Sequence, residues 1–216
     1  LNHPVGVQGG SYVTKIMKDE TPLYILTPVC STKQGVVRTD KKTYSDLMFN
    51  LDNSTFIEWI ENLELSVQQL IFSKRHEWFE NDLELADIEN SFTPSLKVYK
   101  SGKFYLLRVG CPNSKEINTI KIFNESEEDK TLDDISIDTK LTNILEIQGV
   151  KFSSKNFQIL MVFKQIMIMD DEQIFDKCLI KSHGASTVAN ESALANEVAL
   201  ANAVLSEVAP GANAVL

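Results

Sequence analysis

The chain has 216 residues, 43% of them hydrophobic and 24% charged, with a formal net charge of −9. That size and balance suit one soluble domain with a full core and chain to spare, or two very small ones. They argue against loose binding to duplex phosphate through a general excess of Lys and Arg. No apolar run reaches membrane-spanning length.

The cysteines are Cys30, Cys111 and Cys178, far apart and odd in number, and the histidines are His3, His76 and His183. No Cys–His group has metal-ligand spacing, so buried free thiols are expected and neither metal nor cofactor is. No secretory signal is visible, and the absence of Met before Leu1 puts the natural start upstream or marks it as removed.

Residues 1–10, LNHPVGVQGG, read as an extended N-terminal arm. Gly6, Gly9 and Gly10 lack the following Lys-Ser/Thr of a phosphate loop. Residues 11–183 form the body. Its first part predicts strands at Tyr12–Met17, Leu23–Thr27, Gly35–Arg38 and Tyr44–Phe49, separated by Thr21-Pro22, Pro28, Lys33-Gln34-Gly35 and Asp40-Lys41-Lys42. Lys33, Arg38, Lys41 and Lys42 gather here, as a solvated hairpin rim would.

The period then changes. Phe56, Ile60, Leu63, Val67 and Leu70 fall on one helical stripe, widened by Trp59, Ile71 and Trp78, and predict one long amphipathic helix over about 55–79. Thr55 and Glu58 have capping-box spacing. A short helix over 83–92 stops before Pro94. The run from Leu96 to Val109 carries Ser101-Gly102 at its middle and predicts a tight antiparallel hairpin. A strand over 118–124 precedes an acidic loop over 125–138 whose spacing does not fit a Ca²⁺ loop.

The stretch Leu145–Met169 is the centre of the chain. Gly149 and Ser153-Ser154 divide it into a short strand, 144–152, and a longer one from Phe157 that is apolar on both faces. Such a strand is covered on both sides. A last strand is expected over 174–180. The segment 184–216 has no aromatic, Lys or Arg and repeats Ala-Asn-rich units. Leu194, Val198, Leu205 and Val208 fall at helical spacings there and are the expected partner-binding residues of an extended C-terminal tail.

The fold expected is thus α+β, mainly antiparallel β as a sandwich or barrel, with one long amphipathic helix and extended terminal arms. No Walker loop, dinucleotide fingerprint, zinc pattern or local triad signature appears, so no catalytic residue is assigned and an enzyme is not expected.

The phrases PLYILTP, KQGVV, YKSGKFYLLRV, LEIQGVKFSSKNFQI, FKQIMIM and IFDKCLIK resemble an uncharacterised family of large nucleocytoplasmic DNA viruses, chlorovirus-like and mimivirus-like. The likeness spans about residues 11–181. Members of this kind resemble minor capsid proteins. The resemblance therefore implies a virion protein, assembled in host cytoplasm, that cements the major capsid protein and other minor capsid proteins beneath the outer shell. Arms that reach neighbouring subunits suit that role.

The alternative is a single-stranded nucleic-acid-binding protein with an OB-like barrel, whose groove would offer aromatics and cations for stacking. Lys97, Tyr99, Lys100, Lys103, Phe104 and Tyr105 on the predicted hairpin are its candidate residues. The C-terminal sequence Ala-Val-Leu lacks the aromatic residue that ends the acidic tail of many such proteins.

Overall fold

In a computed structural model of the chain, the described residues are 1–7, 9–40, 42–112, 120–153 and 156–169. The chain divides into units 1–172 and 173–216, and the description concerns the first. The expected strand over 174–180, the tail over 184–216 and its residues Leu194, Val198, Leu205 and Val208 all lie outside the described residues.

The strands are β1 (Val5–Val7), β2 (Ser11–Lys15), β3 (Met17–Lys18), β4 (Thr21–Leu26), β5 (Cys30–Arg38), β6 (Thr43–Asn50), β7 (Leu96–Tyr99), β8 (Phe104–Gly110), β9 (Lys121–Asn124), β10 (Lys140–Phe152) and β11 (Phe157–Ile168). The helices are α1 (Ser54–Trp78) and α2 (Leu85–Ser91). No helix among the described residues is long and apolar enough to cross a membrane. The fold is α+β and dominated by strands, with one long helix.

Five strands close a ring in the order β5–β6–β8–β11–β10 and back to β5. The pairs are antiparallel except β8–β11, which meet in parallel through Gly110 and Val162. Numbered by position in the chain, the ring strands run 1-2-3-5-4. Inward residues fill the interior: Leu47, Phe49, Leu107, Val109, Leu145, Ile147 and Phe163 are almost fully buried.

β10 and β11 lie at the centre, as the apolar pattern implies, but β10 begins at Lys140 and is long. Gly149 does not break it. Gly149 sits within β10 at φ +155°, where a Cβ would collide with the backbone carbonyl of Thr14 on β2. It lets β2 cross β10 closely at a register shift. Gly35 likewise lies inside β5 rather than in a turn. Its φ is +68°, and a Cβ there would fall 2.5 Å from the Ile135 carbonyl oxygen.

The N-terminal residues are extended, and β1 lies antiparallel beside β2. The Asn2 amide donates to the Lys15 carbonyl.

Helix α1 forms where the sequence periodicity demands it, rotated slightly from expectation. Ile57, Ile60, Val67 and Ile71 are its buried residues. Trp59 and Leu70, expected on the inner stripe, are 40% and 41% exposed. The Thr55/Glu58 capping box does not form. A 3-10 turn over Leu51–Asn53 leads into the helix, and its Leu51 carbonyl accepts the Ser54 N–H. A capping box closes α2 instead, between Glu84 and Asp87. Phe56 near the start of α1 packs on Phe49 at the end of β6, and Trp78 at its end packs edge-on against Phe152. The helix thus extends from the end of β6 to the β10–β11 turn.

The 96–109 hairpin forms, with a longer turn than the two residues expected. Tyr99 pairs with Phe104, leaving Lys100–Lys103 as a four-residue loop. Lys100, Ser101 and Gly102 there have φ of 49°, 55° and 89°.

Candidate nucleic-acid interface

The outward face of β7, β8 and β6 is a row of cross-strand neighbours. Tyr99, Phe104 and Asn50 lie abreast, then Lys97, Leu106 and Met48, then Arg108 and Asp46, then Gly110 and Tyr44. Side chains alternate across a strand, so this set shares one face while Leu47, Phe49, Leu107 and Val109 fill the other.

The aromatic rings on this face carry cations. Lys33 lies 4.9 Å from the Tyr99 ring centre. Lys100 lies 5.5 Å from Tyr99 and 5.6 Å from Phe104, and Lys103 lies 5.5 Å from Phe104. At the other end, Lys42 is 5.3 Å and the Arg108 guanidinium 4.1 Å from the Tyr44 ring centre. These separations are within the range of cation–π attraction.

Arg108 is held on two sides. Its Nε and Nη2 donate to the Asp46 carboxylate at 2.7 and 2.9 Å, and its plane lies on Tyr44. The hydrogen bond and charge of Asp46 push the Arg108 pKa above its ordinary value. Asp46 is 4% exposed, so the pair is a fixed structural unit. Among the described residues, no carboxylate pairs with Lys33, Lys42, Lys97, Lys100 or Lys103.

Beside this row a groove of about 300 Å³ opens between β8 and β11. Lys33, Lys42, Lys97 and Arg108 rim it, and Leu107, Ile159 and Met161 line its depth. Two connections flank it. The β5–β6 turn is tied by Thr39, whose hydroxyl and amide both donate to the Lys42 carbonyl. At the β10–β11 turn, the Asn156 side-chain amide donates to the Thr93 hydroxyl at 2.7 Å.

Of the candidate residues read from the hairpin, Lys97, Tyr99, Lys100, Lys103 and Phe104 meet on this surface. Tyr105 does not: it points the other way and packs against the core. Sequence reasoning missed Tyr44, Asp46 and Arg108. It also placed Lys33 and Lys42 on a solvated rim, whereas they lie over aromatic rings of the face. Arg38, from the same basic cluster, pairs instead with Asp133 at 2.8 Å.

Apart from the Asp133–Arg38 pair, the hydrogen bonds made by the side chains of Glu128, Lys130, Thr131 and Asp134 in the acidic loop are local. Thr131 donates through both its amide and its hydroxyl to Asp134, and the amide bond is the larger cause of that carboxyl's lowered pKa. Lys130 first, then Asn124, holds the Glu128 carboxyl below its usual range. No metal-ligating cluster occurs among the described residues. Burial pushes the Cys30 thiol up to about 12 and the Cys111 thiol up to about 11.

The 1-2-3-5-4 ring, with a groove between its third and fifth strands, has the strand order of an OB-type barrel. Residues 34–178 match the DUF5871 family, a family of unknown function, and the chain belongs to it. No curated protein sequence matches the chain.

Solved structures similar to it include the single-stranded DNA-binding protein from bacteriophage Enc34. In complex with single-stranded DNA it is 9% identical with a TM-score of 0.48, covering 79% of this chain and 96% of that one. Without DNA it is 10% identical with a TM-score of 0.48, covering 84% and 98%. Another is gp2.5, a single-stranded DNA-binding protein encoded by bacteriophage T7, 8% identical with a TM-score of 0.44, covering 89% and 100%.

These structures correct the capsid role expected above. They are single-stranded DNA-binding proteins, and the major-capsid and minor-capsid partners expected with that role are unsupported. Locally, Lys33 and Lys42, expected on a solvated rim, lie over the aromatic rings of the face beside the groove.

Proposed function

We propose that the protein binds single-stranded nucleic acid along the β7–β8–β6 face of its barrel, as a binding module without a chemical step. One observation carries the reading. Tyr44, Tyr99 and Phe104 share one face with five lysines that lack carboxylate partners among the described residues and with an arginine fixed by Asp46. Unpaired bases have open faces that stack on aromatic and guanidinium planes, and the lysines meet the backbone. A duplex hides its base faces, and the net charge of −9 opposes loose duplex binding. The selectivity therefore comes from local arrangement on one face.

The test is a fluorescence-anisotropy titration of labelled oligo-dT at several salt concentrations. Submicromolar binding that weakens with salt, with weaker binding to the duplex of the same length, is expected. Absence of saturation at micromolar protein in low salt overturns the reading.

A further inference from the structure

The groove beside the face is more than a surface depression. β8 and β11 meet at only one bridge, Gly110 with Val162. At the other end, Phe92 bridges Phe157 and the Thr93 amide donates to the Phe157 carbonyl at 2.8 Å. Between these ties, Gln158–Met161 pair with β10 on one side and, among the described residues, with no strand on the other. The barrel wall therefore has a slot. Its lining is mixed: the buried Leu107, Ile159 and Met161, 1%, 5% and 5% exposed, lie beside the polar Thr93, Ser95 and Gln158. Lys97 and Arg108 stand at its mouth.

Ser95 lines the same slot. Its hydroxyl oxygen is buried and has no hydrogen-bond partner among the described residues. Its amide donates to the Glu64 carboxylate on α1, which fixes the backbone there. A buried hydroxyl without a partner is costly, and a ligand group that supplies one relieves that cost.

We propose that the slot takes one nucleobase of the bound strand, turned out of the row stacked on the face. This rests on the single-strand reading above and adds an insertion subsite to it. The flat ring lies against Leu107, Ile159 and Met161, and a polar edge meets the Ser95 hydroxyl. The backbone turns at the mouth beside Lys97. A base is the ligand that fits this combination: a planar body for a narrow cleft of mixed apolar and polar lining, a hydrogen-bonding edge, and an anionic chain left outside among cations.

The experiment uses the full chain and short oligo-dA strands carrying one 2-aminopurine, moved position by position. The probe is quenched while stacked between adenines. For one position, binding is expected to raise emission several-fold, with reduced quenching by acrylamide. Ser95→Phe, which fills the slot, is expected to abolish that rise and to weaken binding by about tenfold. Ser95→Ala is expected to weaken binding less and keep the rise. Should Ser95→Phe lose its circular-dichroism spectrum, Gln158→Trp at the exposed edge of the slot replaces it.

Wild-type binding with the probe quenched at every position overturns the insertion while leaving the single-strand reading intact. So does a filled slot that keeps both full affinity and the emission rise. No anisotropy change for the wild type with any oligonucleotide overturns both together.

Discussion

Two surfaces of this barrel combine aromatic rings with cations and use them oppositely. At the β10–β11 turn, Phe152, Phe157, Phe79 and Trp78 pack on one another, with ring centres 5.3 to 6.0 Å apart. On the nearby end of α1, Lys74 pairs with Glu77 and Arg75 with Asp82. On the β7–β8–β6 face, Tyr99, Phe104 and Tyr44 have cations over them instead of other rings. The lesson is that composition does not distinguish a packing cluster from a binding face. What distinguishes them is whether the rings bury one another and whether the neighbouring lysines already have carboxylate partners within the chain.

The comparison breaks first at Phe152, which is 4% exposed and touches three other rings. Phe152→Ala removes a buried ring at the junction of helix and barrel, and a loss of about 3–5 kcal/mol is expected. Urea unfolding measures it. Where the variant is folded, oligo-dT affinity should match the wild type. Binding lost in a folded variant would mean that this end also meets nucleic acid.

On the other surface the order of effects reverses. Tyr99→Ala and Phe104→Ala should each weaken oligo-dT binding by about 1–3 kcal/mol through lost stacking. Tyr105→Ala is the internal control. It lies on the same strand as Phe104 with its ring against the core, so it should lower the urea midpoint and leave affinity in the folded state unchanged. Equal affinity losses at Tyr105 and Phe104 would remove the facial argument.

That control marks where sequence reading stops. The hairpin was legible because apolar and polar residues alternate from Leu96 to Val109. The side of each residue was not, because alternation alone does not say which face meets the core. The two-residue turn expected and the four-residue loop found both set Tyr99 opposite Phe104, and only the packing shows that Tyr105 is the inward one. The long helix was legible from its period, yet its buried stripe shifted by about one position toward Ile57 and Ile71. A barrel was one of two architectures expected, but the pairings that close it were not legible. Closure depends on β8 meeting β11 and β5 meeting β10, pairings between segments far apart in the chain. Lys33, Lys42, Tyr44 and Arg108 join the face through the β5–β6 and β6–β8 pairings, the second of which spans both helices in the chain. One signal was available: Arg108, a charge in the apolar run LLRV, is at an outward position of a strand.

The lysines give a smaller, differently shaped effect. Lys97→Ala with Lys100→Ala removes two exposed charges without ion-pair partners among the described residues, so thermal stability should hold within about 0.5 kcal/mol. Affinity should fall mainly at low salt. The slope of log affinity against log salt should lessen by about 0.7 for each single-strand phosphate that the variant no longer neutralises. Parallel lines, displaced but with unchanged slope, would place these lysines away from the backbone.

The smallest effect is expected at Lys74, and it tests the comparison from its satisfied side. Lys74 is a lysine near aromatic residues, like Lys100, and by sequence alone the two are equivalent. Its ammonium lies 3.0 Å from Glu77 on the next turn of an exposed helix surface. Pairs of this kind contribute only about 0.3–0.5 kcal/mol. Lys74→Ala should therefore shift the urea midpoint barely at all. It should also leave both oligo-dT affinity and its salt slope as they are, since the Glu77 charge already offsets the lysine locally. A reduced salt slope in this variant would show that a cation paired within the chain still meets phosphate, and satisfaction within the chain would no longer separate the two surfaces.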